Sequence, residues 1–530
     1  MLDINPDLLA QCIDIMDLTN ILCEHPRLQL EHTSLLLVTD GQATLSMNGR
    51  EEHMVYGHVI VVEKGSVIQL TDTYHMDFSG YFISFRMYDI QTNTPCMYSV
   101  NTQAGYAVQK IPETVLSDTR IALHKAAASD ELSVTMKQFI LYNLLKELKE
   151  ERRPEEFTLE ERLARTVVHM QQKYNQSITR EELAAIAGYS PAYYSRQFMQ
   201  LYGKTPMEYL IRYRIFRAQE MLLTTGDLSK NVAKKTGFDD AQYFNRQFKR
   251  FVGKAPKRFM QSIADYRICF LSAAHAEIAI GLGVIPHGVT VISSLTPKYQ
   301  QDMFQQHGVS MIEMPQYVFQ PDRIAQIQPD LIIGEHLTEE MKQHLRAVAP
   351  VITNLPPDLN SLIHYLGQLL NRQKQASQLI QELDEQVDTL KDKIESHIQG
   401  HPTVLYLRVE ESGYRYVGES SCDTAILLHK ELGLPIPETF QTNKRSFNIC
   451  SLQQLAEANP AYLFVEKRIM DYYSADLSLV NLQSSEQWGC LDAVTNNRVF
   501  YVDTGLWINN CSVFGKRKIM QQIEQAMLGS

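Results

Sequence analysis

The sequence predicts a multidomain chain: an N-terminal β-domain, an all-α middle, and a C-terminal α/β part in two lobes joined by one long helix. Three observations predict it. Strand-like runs separated by Asp-Gly and Asn-Gly pairs occupy the segment from about Glu31 to Ser84, a motif recurs at a spacing of 50 residues in the middle, and strand and helix patterns alternate from Tyr266 onward. At 530 residues the chain is too long for one hydrophobic core, so several domains are expected on length alone. The boundaries implied are 1–152, 158–263 and 266–530.

The first element reads as a meander of short strands. Ser34 to Thr39 is followed by Asp40-Gly41 as a turn, then Ala43 to Met47 and Asn48-Gly49 as a second turn. Asp-Gly and Asn-Gly between apolar runs are strong hairpin signals, because both turn positions need φ > 0. Val59 to Val62 and Tyr81 to Phe85 continue the pattern, which resembles a small cupin-like barrel. His25, His32, His53, His58 and His75 lie in this region without the H-x-H and following Glu of metal-binding cupins, so no metal is expected. From Glu131 to Glu150, Val134, Phe139, Leu141, Leu144, Leu145 and Leu148 form an amphipathic helical pattern suited to core packing or a dimer surface. Glu150 to Pro154 reads as a linker.

The middle is a basic island in an acidic chain. Between Thr158 and Asp265 there are 18 Lys and Arg against 10 Asp and Glu, a net +8, while the remainder carries 32 basic and 51 acidic groups. Such an island is the electrostatic footprint of a nucleic-acid module. Within it Gly188 to Phe198 followed by Gly203-Lys204-Thr205-Pro206 recurs as Gly237 to Phe248 followed by Gly253-Lys254-Ala255-Pro256. Arg196 matches Arg246 and Phe198 matches Phe248.

Each copy reads as a helix-turn-helix. Thr179 to Glu182 forms a capping box that opens a short helix, Gly188 ends it, and Ser190-Pro191 opens the next. In that second helix Tyr194, Phe198 and Leu201 should face the core, leaving Ala192, Ser195, Arg196 and Met199 outside. The other copy places Phe244, Phe248 and Phe251 inward, and Gln242, Asn245, Arg246 and Lys249 outward. A helix from Met207 to Leu223 joins the two, so the second recognition helix reaches the next major groove, roughly 34 Å along the duplex. Arg reads guanine, Gln and Asn read adenine, and Lys more often meets phosphate. Ala192, Ser195, Arg196, Gln242, Asn245, Arg246 and Lys249 are therefore the candidate DNA contacts. The segment Leu159 to Met260 resembles the AraC/XylS DNA-binding domain, including its closing Gly237-Phe238, Tyr243-Phe244, Phe248-Lys249 and Gly253 to Pro256 signature. The resemblance implies two recognition helices on one chain, promoter DNA, and activation next to RNA polymerase.

After Tyr266 the pattern becomes α/β. Arg267 to Leu271 and Gln328 to Gly334 read as buried strands. Asn360 to Gln399 reads as a single helix, on the order of 60 Å long. A second set of strands follows at His401 to Arg408, Pro460 to Val465 and Arg498 to Asp503. With Ile324 to Gly334, Val348 to Ile352, Leu452 to Leu455, Asn459-Pro460 and Trp488 to Asp503, this part resembles the iron-siderophore periplasmic binding proteins. The resemblance implies a ferric siderophore, bacillibactin-like and catecholate, whose iron is already fully ligated. Its trianion calls for Arg and Lys rather than protein metal ligands. Ligands of such sheets bind beyond the carboxyl ends of the strands. Candidates there are Arg408, Arg415, Lys467 and Arg468, with Lys298, Lys444 and Arg445 on loops and His336 and Trp507 at strand ends. Arg408 ends its strand directly and is the leading candidate.

Together the three parts resemble siderophore-responsive regulators of the AraC family. The expected function is a cytoplasmic transcriptional activator of iron-siderophore uptake genes, whose two lobes close on the siderophore, with no cofactor bound directly. The same build sensing haem, cobalamin or another chelate, and a cytoplasmic siderophore carrier, are the alternatives. An enzyme is not expected, because no nucleophile elbow, phosphate loop or metal-ligand cluster is present. The scattered cysteines, the acidic start and the lack of a run of roughly 20 apolar residues suit a reducing, membrane-free compartment. A homodimer stays open at this stage.

Overall fold

The computed structural model describes residues 8–18, 27–48, 50–70, 78–89, 95–96, 108–127, 133–148, 158–316, 319–335, 337, 339–398, 400, 402–411, 413–419, 422–440, 447–469, 474–508 and 512–529. The chain divides into two compact units. One is Met1–Glu151 with Asp384–Asn510 and Gly515–Ser530; the other is Arg152–Leu383 with Cys511–Phe514. The expected linker, His25, His75, His336, Lys444 and Arg445 lie outside the described residues.

The N-terminal domain is a nine-stranded sheet: β1 (Leu8–Asp17), β2 (Arg27–Gln29), β3 (Thr33–Met47), β4 (Arg50–Val55), β5 (His58–Val62), β6 (Val67–Leu70), β7 (Phe78–Asp89), β8 (Pro95–Cys96) and β9 (Gln109–Lys110). β3 serves both ends of it. Its first half pairs with β5 and β7, and its second half with β4 and β6. Leu36, Val38, Leu45, Met54, Ile60, Ile68 and Phe82 form the core between them. The hairpin expected at Asn48-Gly49 is present, with Met47 opposite Arg50 and Asn48 at φ 51°. The turn expected at Asp40-Gly41 is not. β3 runs straight through it, and the register against β7 shifts between Val38 and Asp40. Gly41 keeps a positive φ, 65°, within the continuous strand, two residues after the extra residue Thr39, and no chain reversal follows. Two helices follow, α1 (Glu113–Ala127) and α2 (Val134–Glu147). In α2 Ile140, Leu141, Leu144 and Leu145 are buried, whereas Val134 and Phe139 are exposed. Gln138 ties this helix to β1 by donating to the Ala10 carbonyl at 2.6 Å and accepting the Cys12 amide at 3.0 Å.

Seven helices make the basic middle: α3 (Leu159–Gln172), α4 (Arg180–Ala187), α5 (Pro191–Tyr202), α6 (Pro206–Thr224), α7 (Ser229–Lys235), α8 (Ala241–Val252) and α9 (Pro256–Gln261). The first α/β lobe follows, with five parallel strands in the order β12-β11-β10-β13-β14. These are β10 (Ile268–Phe270), β11 (Gly288–Val291), β12 (Ser310–Glu313), β13 (Leu331–Ile333) and β14 (Val351–Ile352). The helices are α10 (Ala273–Gly281), α11 (Lys298–Gln306), α12 (Pro321–Gln326), α13 (Glu339–Val348) and α14 (Leu359–Leu369). The long helix is shorter than expected. Its pattern splits into α14 and α15 (Gln373–His397), 25 residues or about 37 Å. The break is local: Asn371 sits at φ 56° and donates its side-chain amide to the Met260 carbonyl at 2.8 Å. Asn tolerates the left-handed conformation better than most residues, and here a tertiary partner rewards it.

The second lobe has the order β17-β16-β15-β18-β19. β15 (Val404–Glu410), β18 (Tyr462–Lys467) and β19 (Val499–Val502) are parallel, and β16 (Gly413–Val417) and β17 (Phe447–Cys450) add an antiparallel edge that sequence reasoning did not anticipate. Its helices include α16 (Leu452–Ala458), α17 (Asp476–Gln483), α18 (Thr504–Ile508) and α19 (Val513–Leu528).

Candidate nucleic-acid interface and ligand face

Each helix-turn-helix is built by local chemistry. Thr179 accepts the Glu182 amide at 3.1 Å and so caps α4. Only this half of the expected capping box forms, because the Glu182 carboxylate meets His169 at 2.8 Å. Gly188, at φ 73°, closes α4, and the Ser190 hydroxyl accepts the Tyr193 amide to open α5. In the second copy Asp240 caps α8, accepting the Tyr243 amide at 2.6 Å. Gly237 at the turn has φ 83°, and a Cβ there would lie 3.0 Å from the Tyr174 carbonyl and the Asn175 Cα. Glycine is required by both the angle and the space.

The inward faces carry aromatic pairs, Tyr194 with Phe198 and Phe244 with Phe248, all fully buried. Tyr194 donates its hydroxyl to Thr166 at 3.0 Å. Leu201, expected inside, is exposed, and Phe251 is only half-buried. Tyr202, one position beyond Leu201, packs into that core instead, stacking on Phe198 at 4.5 Å. Ala192, Arg196, Gln242, Asn245, Arg246 and Lys249 are exposed on one face of each helix. Ser195 is half-buried and donates to the Pro191 carbonyl at 2.8 Å. Both copies share a feature that sequence reasoning missed. Arg196 lies 5.5 Å from the Tyr193 ring centroid and Arg246 5.9 Å from that of Tyr243, one turn back in each case. A guanidinium resting on an aromatic face keeps its donor fork aimed outward at modest entropic cost. The signal was the tyrosine three residues before each arginine.

The joining helix α6 is held to the first lobe. The carboxylate of buried Glu220 accepts the Val351 amide at 2.9 Å and Arg346 Nε at 3.1 Å, and also pairs with Arg217. Val351 is on β14, the edge strand, so a side chain of the helical domain completes an otherwise unpaired strand edge.

At the carboxyl edge of the second lobe's sheet, three of the expected arginines come together. Arg408 is wholly buried and donates Nε to Glu466 at 2.9 Å, with Glu410 at 3.9 Å. Arg415, its neighbour across β15 and β16, donates to Glu410 at 2.9 Å. Arg468 follows β18 and is also buried. The remaining candidates are placed otherwise. Lys467 is exposed on Asp476 at 2.7 Å, and Lys298, at the start of α11 in the other unit, is exposed on Asp302. Trp507 is a core residue: it packs on Tyr406 and Phe464 and donates its indole N–H to Gln522 at 2.6 Å.

Polar partners at this end of the lobe come from far away in the chain. Arg468 Nη2 reaches Asp40 Oδ1 at 3.4 Å, Arg415 Nη2 donates to Ser79 Oγ at 2.6 Å, and Arg120 of α1 pairs with Glu411. Tyr81 lies in the same layer; burial, with Asp17 beside it and Arg415 acting in the opposite sense, pushes its hydroxyl up to about 12.

A helix-turn-helix domain model matches residues 183–262, and a periplasmic binding protein model matches residues 268–505. The chain carries an AraC-type helix-turn-helix domain and a periplasmic-binding-protein domain. The binding-protein match begins in the first lobe and continues through the second. Among curated relatives, the HTH-type transcriptional activator Btr of Bacillus subtilis is 24% identical over 366 residues, 66% of this chain and 66% of the relative. The iron-uptake system-binding protein of the same organism is 24% identical over 236 residues, 43% of this chain and 71% of its own. A solved structure of the triscatecholate siderophore binding protein FeuA from Bacillus subtilis, complexed with ferri-bacillibactin, is 21% identical with a TM-score of 0.41, covering 50% of this chain and 93% of that one. Among the described residues no helix is long and apolar enough to cross a membrane.

Proposed function

We propose that this chain is a cytoplasmic transcriptional activator of iron-siderophore uptake genes, switched by a ferric siderophore of the catecholate class. The observation that carries the reading is the union, in one chain, of two outward-facing recognition helices with a binding-protein domain that gathers Arg415 and Arg468 beside the carboxylate-paired Arg408 near the carboxyl end of its second sheet. A coordinatively saturated ferric trianion needs charge-assisted donors, and guanidinium groups supply them in a fixed fork. Promoter DNA is read by Arg196, Gln242, Arg246 and Asn245, with Lys249 on phosphate, and RNA polymerase is contacted from the bound position. The small N-terminal β-domain is read as cupin-like.

The test is fluorescence anisotropy of the full chain on DNA upstream of iron-uptake genes, with and without ferri-bacillibactin. Arg196→Ala and Arg246→Ala should each weaken binding by about 1–3 kcal/mol if the contact is bidentate to guanine. Undiminished binding in both variants would remove the DNA reading. A response to ferrioxamine B or haem but not to ferri-bacillibactin would keep the regulator and replace its ligand.

A further inference from the structure

The N-terminal β-domain lies on the carboxyl edge of the second lobe's sheet, the edge from which strands of such lobes present their ligands. The contact is polar and specific. It uses Asp40, which sits directly opposite Ser79 in the β3–β7 pairing, so both groups come from one point on the domain. That point is the bulge. Val38 opposes Gly80 and Asp40 opposes Ser79, leaving Thr39 as the extra residue. In a regular strand Asp40 would share the face of Val38, which is core. The extra residue turns Asp40 to the opposite face, where it meets Arg468.

We propose that this domain is a lid: Asp40 and Ser79 hold Arg468 and Arg415 in the place of an anionic ligand's oxygens, and the siderophore must displace them to reach the second lobe. The inference rests on the siderophore reading and concerns its regulation. A carboxylate oxygen and a hydroxyl oxygen offer a guanidinium what a catecholate offers, so the two occupants exclude each other. Arg408 is held within the lobe by Glu466 and keeps its place whether or not the lid is on, and Arg415 keeps its Nε on Glu410, so the lid's hold on Arg415 is the Nη2 contact with Ser79. Occupancy of the arginines by the lid lowers the apparent affinity by the fraction of molecules that are open. Ligand binding then frees the β-domain, which gives the ligand a differential effect on the two states.

The experiment uses the full chain and the double variant Asp40→Asn, Ser79→Ala, with Asp40→Glu as the conservative rescue and circular dichroism to confirm folding. Without ligand, phenylglyoxal labelling mapped by mass spectrometry should find Arg415 and Arg468 slow relative to exposed Arg246. In the double variant both should speed up while Arg246 does not. Ferri-bacillibactin should bind the double variant roughly tenfold more tightly than the parent chain. It should also raise hydrogen exchange of the parent's β3 and β7 around Asp40 and Ser79. Equal affinities with unchanged β3 exchange would overturn the lid and leave the siderophore reading intact, the contact then being permanent structure. Labelling of Arg415 and Arg468 at the rate of Arg246 in the parent would also overturn it. Binding by neither protein would overturn the siderophore reading for this ligand, and the labelling contrast would then decide the masking alone.

Discussion

Arg408 and Glu466 are both fully buried and joined by a 2.9 Å hydrogen bond, with the Tyr406 hydroxyl donating to the same carboxylate at 3.1 Å. Taking two charges out of water is costly, and their attraction offsets that cost only while both are present. Arg408→Met alone therefore leaves Glu466 charged in the core and should destabilise the second lobe by about 3–5 kcal/mol. The double variant Arg408→Met, Glu466→Leu should be closer to the parent than either single change. Chemical denaturation followed by the fluorescence of Trp488 and Trp507, both buried in that lobe, reads all three; additive losses would sink the coupling. At this scale the sequence marked Arg408 as ending its strand, whereas β15 runs on to Glu410, and it could not mark Glu466 or Glu410 as its partners. Carboxylates at strand ends are common, and which one an arginine meets depends on pairing between β15 and β18.

At the scale of elements, glycine positions separate cleanly. Gly237 and Gly253 both have positive φ, 83° and 78°, but only Gly237 is crowded by backbone; nothing lies within 4 Å of a Cβ at Gly253. Gly253→Ala should cost about 1 kcal/mol, the ordinary penalty of a left-handed alanine. Gly237→Ala should cost clearly more, roughly 2–4 kcal/mol, because the Tyr174 and Asn175 backbone must also move. Thermal unfolding of the two variants, with DNA affinity measured in parallel, checks this; equal losses would show that the turn relaxes freely. The helix-turn-helix elements were legible because caps, left-handed glycines and aromatic spacing are local. β3 was misread because Asp-Gly can run on in a paired strand as well as turn, and only its partner β7 selects between them. The helix break at Asn371 is a similar case, decided by a hydrogen bond to Met260 that is 111 residues away.

At the scale of the whole molecule, each unit pairs one lobe of the binding-protein domain with a different companion: the helical domain in one, the β-domain in the other. Glu220 is the fastening in the first of these, and it sits on the helix that joins the two helix-turn-helix copies. Glu220→Ala strands Arg346 and leaves the Val351 amide without its acceptor, a loss on the order of 3 kcal/mol. Faster hydrogen exchange at Val351 and a promoter affinity that no longer responds to ferri-bacillibactin are the expected results. A response equal to the parent's would mean that the signal reaches DNA by another route.

By itself the sequence determined the classes of the elements, the repeated helix-turn-helix with its outward arginines, and the α/β character of the C-terminal part. All of these follow from periodicity, capping and turn chemistry within a few residues of one another. Only the tertiary structure decided that Trp507 is core, that Leu201 is exposed, and that Arg408, Arg415 and Arg468 lie in one layer with Asp40 and Ser79. Such facts depend on tertiary contacts that local patterns do not encode, the partners being 428 positions apart in the case of Asp40 and Arg468. Burial and ion pairing are set by what the folded chain brings alongside, and nothing in the local pattern around a lone aspartate records its distant partner.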